Sequence, residues 1–178
     1  MHEAGMEIED MLPKLSRISQ IDGRMEIIDK GQDFTVIVDY AHTPDGFEKV
    51  FEYAKEVCEN GRIYSVFGCA GKRDKVKRKV LGQIAAKYCD RVFVTEEDPR
   101  DETAEGIAEM ILSGMEEDRG VFISDRYQAI EAAIETAESG DCVLILGKGD
   151  EPYMYYEDGR HPWMGDHKAA AKALEKLK

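Results

Sequence analysis

The 178-residue sequence contains no long apolar run. None exceeds about seven residues, and crossing a bilayer as a helix takes roughly 20. Basic charge is also scarce, with 24 Lys and Arg against 37 Asp and Glu and a formal net charge of −13. Nucleic acids are gripped by basic surface, so they are excluded as the expected partner. Cysteine is sparse and scattered. Cys58, Cys69, Cys89 and Cys142 fall in separate apolar segments, which points to buried thiols in a reducing compartment rather than a disulfide framework or a metal site. The opening residues, MHEAGMEIED, carry no basic stretch followed by an apolar one, so no secretion signal is expected and the expected compartment is the cytoplasm. Internal repeats and low-complexity tracts are absent from the sequence.

What is present is enough hydrophobic sequence, 43%, for one domain with a short appendage. Five apolar runs read as strands: FTVIVDY (34–40), IYSVFGC (63–69), RVFVT (91–95), GVFIS (120–124) and CVLILG (142–147). They do not alternate strictly, which is the mark of strands buried on both sheet faces. Helical spacing fills the gaps. Thr43 is placed to cap and Pro44 to begin a helix whose apolar face is Phe47, Val50, Phe51, Ala54 and Cys58. The same spacing recurs at Val80–Tyr88, Ile107–Met115 and Ala129–Ala137. Alternating strand and helix implies parallel βαβ units, hence an α/β, Rossmann-like open sheet in three layers, mostly parallel, with helices on both faces. The segment after Pro152 reads as a hairpin followed by a helix beginning near Asp166. Residues 1 to about 30 stand outside the alternation. MEIEDMLPKLSRI is expected to form a short helix interrupted by Pro13, and SQIDGRMEIIDKGQD a connecting segment.

Ligands of open α/β sheets bind outside the carboxyl ends of the strands. Four such ends carry polar sequence here: DYAHTPD (39–45), GCAGKRDKVKRK (68–79), TEEDPRDE (95–102) and GKGDEPY (147–153). The second holds six basic residues against one acid, in an acidic chain. Each has a plain structural alternative: a satisfied turn for Asp39 and His42, a solvated helix face for the basic run, and a surface ion pair from Arg100 to Glu96, Glu97 or Asp101. GKG lacks the upstream glycine and following hydroxyl of a Walker A loop, and GCAGKRD is not the GxGxxG of a dinucleotide site, which argues against a nicotinamide oxidoreductase. The residues by themselves support an α/β domain that takes a small anionic or zwitterionic ligand in one crevice.

Taken together, GRMEII (23–28), VDYAHTPDGFEKV (38–50), FGCAGKRDKVKRKVLGQIA (67–85), RVFVTEEDPRDE (91–102), AIEAAIETAESGDCVLILGKGDE (129–151) and the helix led by Asp166 resemble the C-terminal domain of the Mur ligases. The branch most similar is MurE, the tripeptide synthetase that adds the third amino acid to UDP-N-acetylmuramoyl-L-alanyl-D-glutamate. The resemblance implies that residues 1–30 are the tail of a preceding central ATPase domain and its linker, with the ligase C-terminal domain over 31–178. It implies an ADP-forming ligase that activates a carboxylate as an acyl phosphate. ATP and Mg²⁺ are the implied cofactors, with the metal held mainly outside this chain. Nothing in the sequence resembles the family's phosphate loop, metal ligands or UDP-sugar domain, so the chain alone is expected to be inactive and to contribute no catalytic group of its own.

By the same resemblance, Arg24 would reach the ATP phosphates, Asp39 the ribose hydroxyls, and His42 the nucleoside. Arg73, Asp98, Arg100, Gly147 and Glu151 would bind the incoming amino acid. Diaminopimelate-adding members read Asp-Asn-Pro-Arg where this chain reads Glu97-Asp98-Pro99-Arg100, and lysine-adding members lack the arginine. The retained Arg100 favours a distal carboxylate, hence meso-diaminopimelate. Asp98 in place of asparagine adds a negative charge beside it, and Asp150 stands where the family often has histidine. The alternatives are a lysine- or ornithine-adding ligase, a folylpolyglutamate synthase-like ligase, and a free-standing binding module without catalysis.

Overall fold

The computed structural model describes residues 21–58, 60–116 and 118–177. The expected helix around Pro13 lies outside them. Among the described residues, the chain runs β1 (Glu26–Ile27), β2 (Thr35–Asp39), α1 (Pro44–Val57), β3 (Ile63–Phe67), α2 (Val76–Tyr88), β4 (Arg91–Val94), α3 (Ala104–Leu112), β5 (Gly120–Phe122), α4 (Arg126–Thr136), β6 (Cys142–Leu146), β7 (Tyr153–Tyr156), β8 (Gly159–Pro162) and α5 (Asp166–Lys176). All five expected strands are present, each trimmed by one or two residues at an end or two.

The sheet order is β1-β2-β6-β3-β4-β5. Every pairing among β2, β6, β3, β4 and β5 is parallel. β3, β6 and most of β2 are fully buried, which explains why their sequences are continuous apolar runs rather than alternating ones. One face packs against α1, α2 and α3 through Phe47, Phe51, Leu81 and Ile111. The other packs against α4 and α5, whose contact surface is mainly alanine and isoleucine, so the helices can sit close to the strands. Thr43, Thr103 and Asp125 each accept a backbone N–H in the first turn of their helix, fixing where α1, α3 and α4 start.

One expectation is corrected. The segment read as a connector contains β1, where Glu26 and Ile27 pair antiparallel with Val38 and Ile37. Two residues are too few to show a period, and the pairing is supplied by the neighbouring strand. β1 thereby places Arg24 beside the carboxyl end of β2. The hairpin after Pro152 is confirmed as β7–β8, and α5 begins at Asp166 as read from the sequence.

Two ion pairs, one fully buried and one partly exposed, tie the loops at the carboxyl end of the sheet. Arg126, the first residue of α4, and Asp166, the first of α5, are both fully buried and joined by two bonds of 2.8 and 2.7 Å. Arg126 also donates to the Leu146 carbonyl at 2.8 Å, and Asp166 N–H to the Gly149 carbonyl at 2.9 Å, so this pair braces the GKG loop from below. Arg78 forms a second two-bond pair with Glu102 at 2.8 and 3.0 Å and reaches the Ala70 carbonyl. The hydrogen bonds from Arg78, from the Lys72 backbone and from Lys75 hold the Glu102 carboxyl well below the usual carboxylate range. The basic run therefore has divided duties. Lys72 and Lys75 pair with Asp101 and Glu102, Lys77 donates to the His42 carbonyl, and Arg73 is exposed at the crevice.

Candidate functional site

The carboxyl ends of β2 and β6 converge, as expected from their polar sequences. Gly147 N–H donates to the Asp39 carbonyl at 3.0 Å, so the ends of β2 and β6 touch directly. Their loops enclose two adjoining hollows that share Tyr40, His42 and Thr43 as a wall.

The first is a cleft of about 580 Å³ between the turn at Arg24 and the side of α1 that carries Val50 and Tyr53, with Asp39 at the end of β2. Asp39 is buried, and its carboxylate accepts the Met25 N–H at 2.8 Å and the Ala41 N–H at 2.7 Å. It is thus first a clamp that holds the Arg24 turn and the β2–α1 junction together. Each oxygen retains further acceptor capacity, which is what binding a diol requires. Arg24 is exposed and lies 4.2 Å from the Tyr40 ring centroid. His42 is exposed, with Nδ1 2.9 Å from the Tyr40 carbonyl. All three residues expected for the nucleotide line this cleft.

The second hollow, about 640 Å³, is lined by Arg73, Asp98, Arg100, Gly147 and Glu151, all five residues expected for the amino acid. Three side chains that the sequence reading passed over share the wall: Lys77, Glu97 and Tyr155. Arg100 does not pair with Glu96, Glu97 or Asp101. Its Nη1 donates to the Gly71 carbonyl at 2.8 Å. The expected charge of Asp98 beside Arg100 is also corrected, because Asp98 Oδ1 accepts from buried Lys148 at 2.9 Å and from the Tyr155 N–H at 3.1 Å. Lys148 reaches Glu151 as well, at 2.6 Å. The lysine of GKG is thus an internal counter-ion for two carboxylates, and Arg100 keeps its charge available to the cavity.

The loop carrying these groups is strained. Asp98 and Arg100 both have positive φ, 44° and 57°, a conformation that costs non-glycine residues on the order of 1–3 kcal/mol each. Tertiary bonds hold it: Gly71 N–H to the Asp98 carbonyl, Arg100 N–H to the Tyr155 carbonyl, and Tyr156 Oη to Glu96, each at 2.9 Å. The β7 strand is therefore the splint of the Arg100 loop. Gly71 must be glycine, since a Cβ there would lie 1.9 Å from the Pro99 carbonyl oxygen.

Glu97 is 8% exposed, and burial raises its carboxyl to about 7. Lys148 gives its ammonium to Asp98 and Glu151 and Arg126 its guanidinium to Asp166, so Glu97 feels these cations only at longer range. Its Oε2 would be 2.1 Å from a Cβ on Gly147, whose φ is +107°. That contact explains why glycine stands there. Lys148 was missed because its partner Asp98 lies 50 residues away, and Glu97 because its burial against Gly147 is a contact between distant loops. The adjacent glutamates of TEEDPR were the one available signal.

Known proteins bear on this geometry. The sequence model of the family described as Mur ligase, glutamate ligase domain, matches residues 23–149. The chain is 45% identical over 163 residues to the UDP-N-acetylmuramoyl-L-alanyl-D-glutamate–2,6-diaminopimelate ligase of Syntrophomonas wolfei, covering 90% of this chain and 33% of that protein. It is 44% identical over 177 residues to the UDP-N-acetylmuramyl-tripeptide synthetase of Borreliella burgdorferi, covering 96% of this chain and 35% of that one. A solved structure of a UDP-N-acetylmuramoyl-L-alanyl-D-glutamate–2,6-diaminopimelate ligase superposes with a TM-score of 0.80 at 32% identity, covering 99% of this chain and 36% of that one. The chain spans about a third of the length of these relatives. By the family model and by both relatives, the chain belongs to the Mur ligases and is their glutamate ligase domain.

Proposed function

We propose that this chain is the closing domain of an ATP-dependent ligase that joins a diamino acid, meso-diaminopimelate, to UDP-N-acetylmuramoyl-L-alanyl-D-glutamate in peptidoglycan synthesis. Residues 1–30 would be the tail of a central ATPase domain and its linker, the linker's end adding β1 to this sheet. The observation that carries the reading is the second hollow. Arg73, Lys77 and Arg100 line it together with Asp74, Glu97, Asp98 and Glu151, and buried Lys148 pairs with Asp98 and Glu151. A set of both signs on separate loops suits a ligand that itself carries two carboxylates and two ammonium groups.

In this reading Arg100 and Arg73 take carboxylates, while Glu151 and Asp98 take an ammonium or hold the lysine that shapes its site. Gly147 leaves room at the floor. In the neighbouring cleft Arg24 meets the ATP phosphates, Asp39 the ribose and His42 the nucleoside. A fixed guanidinium offsets the charge that develops in phosphoryl transfer. An acyl phosphate hydrolyses readily, so bringing both hollows against a partner domain excludes water while the amine is delivered. Among the described residues no group of three or more His, Cys, Asp or Glu is arranged to hold a metal ion. By its family, the ligase would use Mg²⁺ with ATP, held mainly outside this chain. No helix among the described residues is long and apolar enough to cross a membrane.

The names of the Syntrophomonas relative and of the solved ligase support diaminopimelate. So does the pairing of Asp98 with Lys148, which leaves Arg100 free to recognise a carboxylate. The test is phosphate release from ATP by the full-length protein, supplied with the UDP-linked dipeptide and screened across diaminopimelate, lysine and ornithine. Release that depends on diaminopimelate is expected. Equal release with lysine would remove Arg100 as the selecting residue, and no amino-acid dependence would sink the proposal.

A further inference from the structure

Tyr40 belongs to both hollows. On the charged side its hydroxyl donates to Glu151 Oε1 at 3.0 Å. On the cleft side the Arg24 guanidinium carbon lies 4.2 Å from its ring centroid, within the range of a cation–π contact. The His42 ring packs edge-on at 5.1 Å between centroids. Burial and the neighbouring Glu151 carboxylate both push the Tyr40 phenol above its ordinary value, so the hydroxyl stays a donor at neutral pH.

The backbone gives a second, independent connection. The turn that carries Arg24 packs Gly23 closely against the loop that carries Glu151. A Cβ on Gly23 would lie 2.5 Å from the Asp150 nitrogen and 2.9 Å from the Gly149 Cα, and Gly23 has φ +66°. Movement of one loop is therefore felt by the other.

We propose that Tyr40 is a positioning residue that couples nucleotide binding to amino-acid binding; this rests on the reading of the two hollows given above. Glu151 offers one oxygen to Tyr40 and the other to Lys148. Without the hydroxyl, Lys148 is left to draw the carboxylate toward Asp98 and away from the cavity. A nucleotide phosphate that fixes Arg24 over the ring also fixes the ring, and with it the hydroxyl that holds Glu151 in place for an ammonium. An ammonium on Glu151 acts in the reverse direction. The entropy of ordering Tyr40 is lost once, at the first binding event, so the second ligand binds more tightly. Linkage makes the effect equal in both directions.

The experiment measures, in the full-length protein, the Kd of a non-hydrolysable ATP analogue with and without saturating meso-diaminopimelate or lysine, and the reverse. Wild type should show mutual tightening of about fivefold or more, the lower end of measured couplings between sites. Tyr40→Phe keeps the ring under Arg24 and removes only the hydroxyl. Its nucleotide affinity without amino acid should stay within about twofold of wild type, and the coupling ratio should fall to about one. Arg24→Met cuts the other side. It should weaken the nucleotide, leave amino-acid affinity alone unchanged, and also abolish the ratio. A purely structural role for Tyr40 would weaken each ligand separately and preserve the ratio, and that result overturns the inference. Both ligands binding wild type without coupling also overturns it, while leaving the pocket assignment intact. Failure of folded wild type to bind either ligand overturns both.

Discussion

In the cleft beside Arg24, the buried carboxylate of Asp39 has both oxygens occupied by backbone N–H groups, and aromatic and aliphatic side chains form much of the wall. In the hollow beside Arg100, the buried carboxylate of Glu97 faces the cavity while the nearest cations serve other partners. The two spaces share Tyr40, His42 and Thr43, yet one is satisfied from within and the other is left waiting for charge. Internal pairing suits a ligand recognised by shape and a few hydrogen bonds, such as a nucleoside. A buried carboxyl without a cation partner is pushed toward its neutral form, as burial does to Glu97, and a cationic ligand group beside it would restore the charge.

The strongest way to break this contrast is to remove the brace beneath both spaces. Arg126→Ala leaves Asp166 buried without its partner, and should cost roughly 3–5 kcal/mol in denaturant unfolding. A loss under about 1 kcal/mol would show that Arg126 does not brace the GKG loop.

Glu97 makes the stability of the protein depend on pH. Glu97 titrates near 7 in the folded protein against 4.5 for the free side chain, so the folded state favours its neutral form. The stability from that form is full below 4.5 and lost as pH rises through about 7. Glu97→Gln should accordingly stabilise the protein by on the order of 2–3 kcal/mol near pH 8 and change little near pH 4.5. Denaturation curves at the two pH values check this, and a gain of equal size at both would refute the linkage.

A smaller and purely functional effect is expected from Arg100→Ala. A charge-assisted contact to a carboxylate is worth roughly 1.5–3 kcal/mol, so the kcat/KM preference for diaminopimelate over lysine should fall about 10- to 100-fold. An unchanged ratio would show that the distal carboxylate binds elsewhere. The smallest change belongs to the satisfied side. Thr43→Ala removes the cap that accepts the Gly46 N–H, and should lower stability by about 1 kcal/mol without altering selectivity between amino acids. A shift in that selectivity would show that the shared wall does more than support.

Much of this was legible in advance because it is local. The buried strands announce themselves as apolar runs, Thr43–Pro44 marks the start of α1, and the polar strand ends mark the crevice. Asp39, His42, Arg73, Asp98, Arg100, Gly147 and Glu151 were named from motifs, and the structure gathers them in two adjoining hollows. Their immediate partners were not legible. Asp98 was expected to act on Arg100, two residues away, but its cation is Lys148, 50 residues on. β1 was hidden because two residues hold no period, and the splinting of the Arg100 loop by β7 depends on contacts between Arg100 and Tyr155–Tyr156, more than 50 positions apart.

Hydropathy and turn chemistry act over a few residues, so the sequence alone determined the layered α/β architecture, the end of the sheet where polar loops meet, and the polar groups gathered there. Charge pairing is settled by proximity in space, where separation along the chain counts for nothing. Only the tertiary structure could decide that Lys148 serves two carboxylates, that Glu97 is left to the cavity, and that Tyr40 joins the two hollows through Arg24 and Glu151.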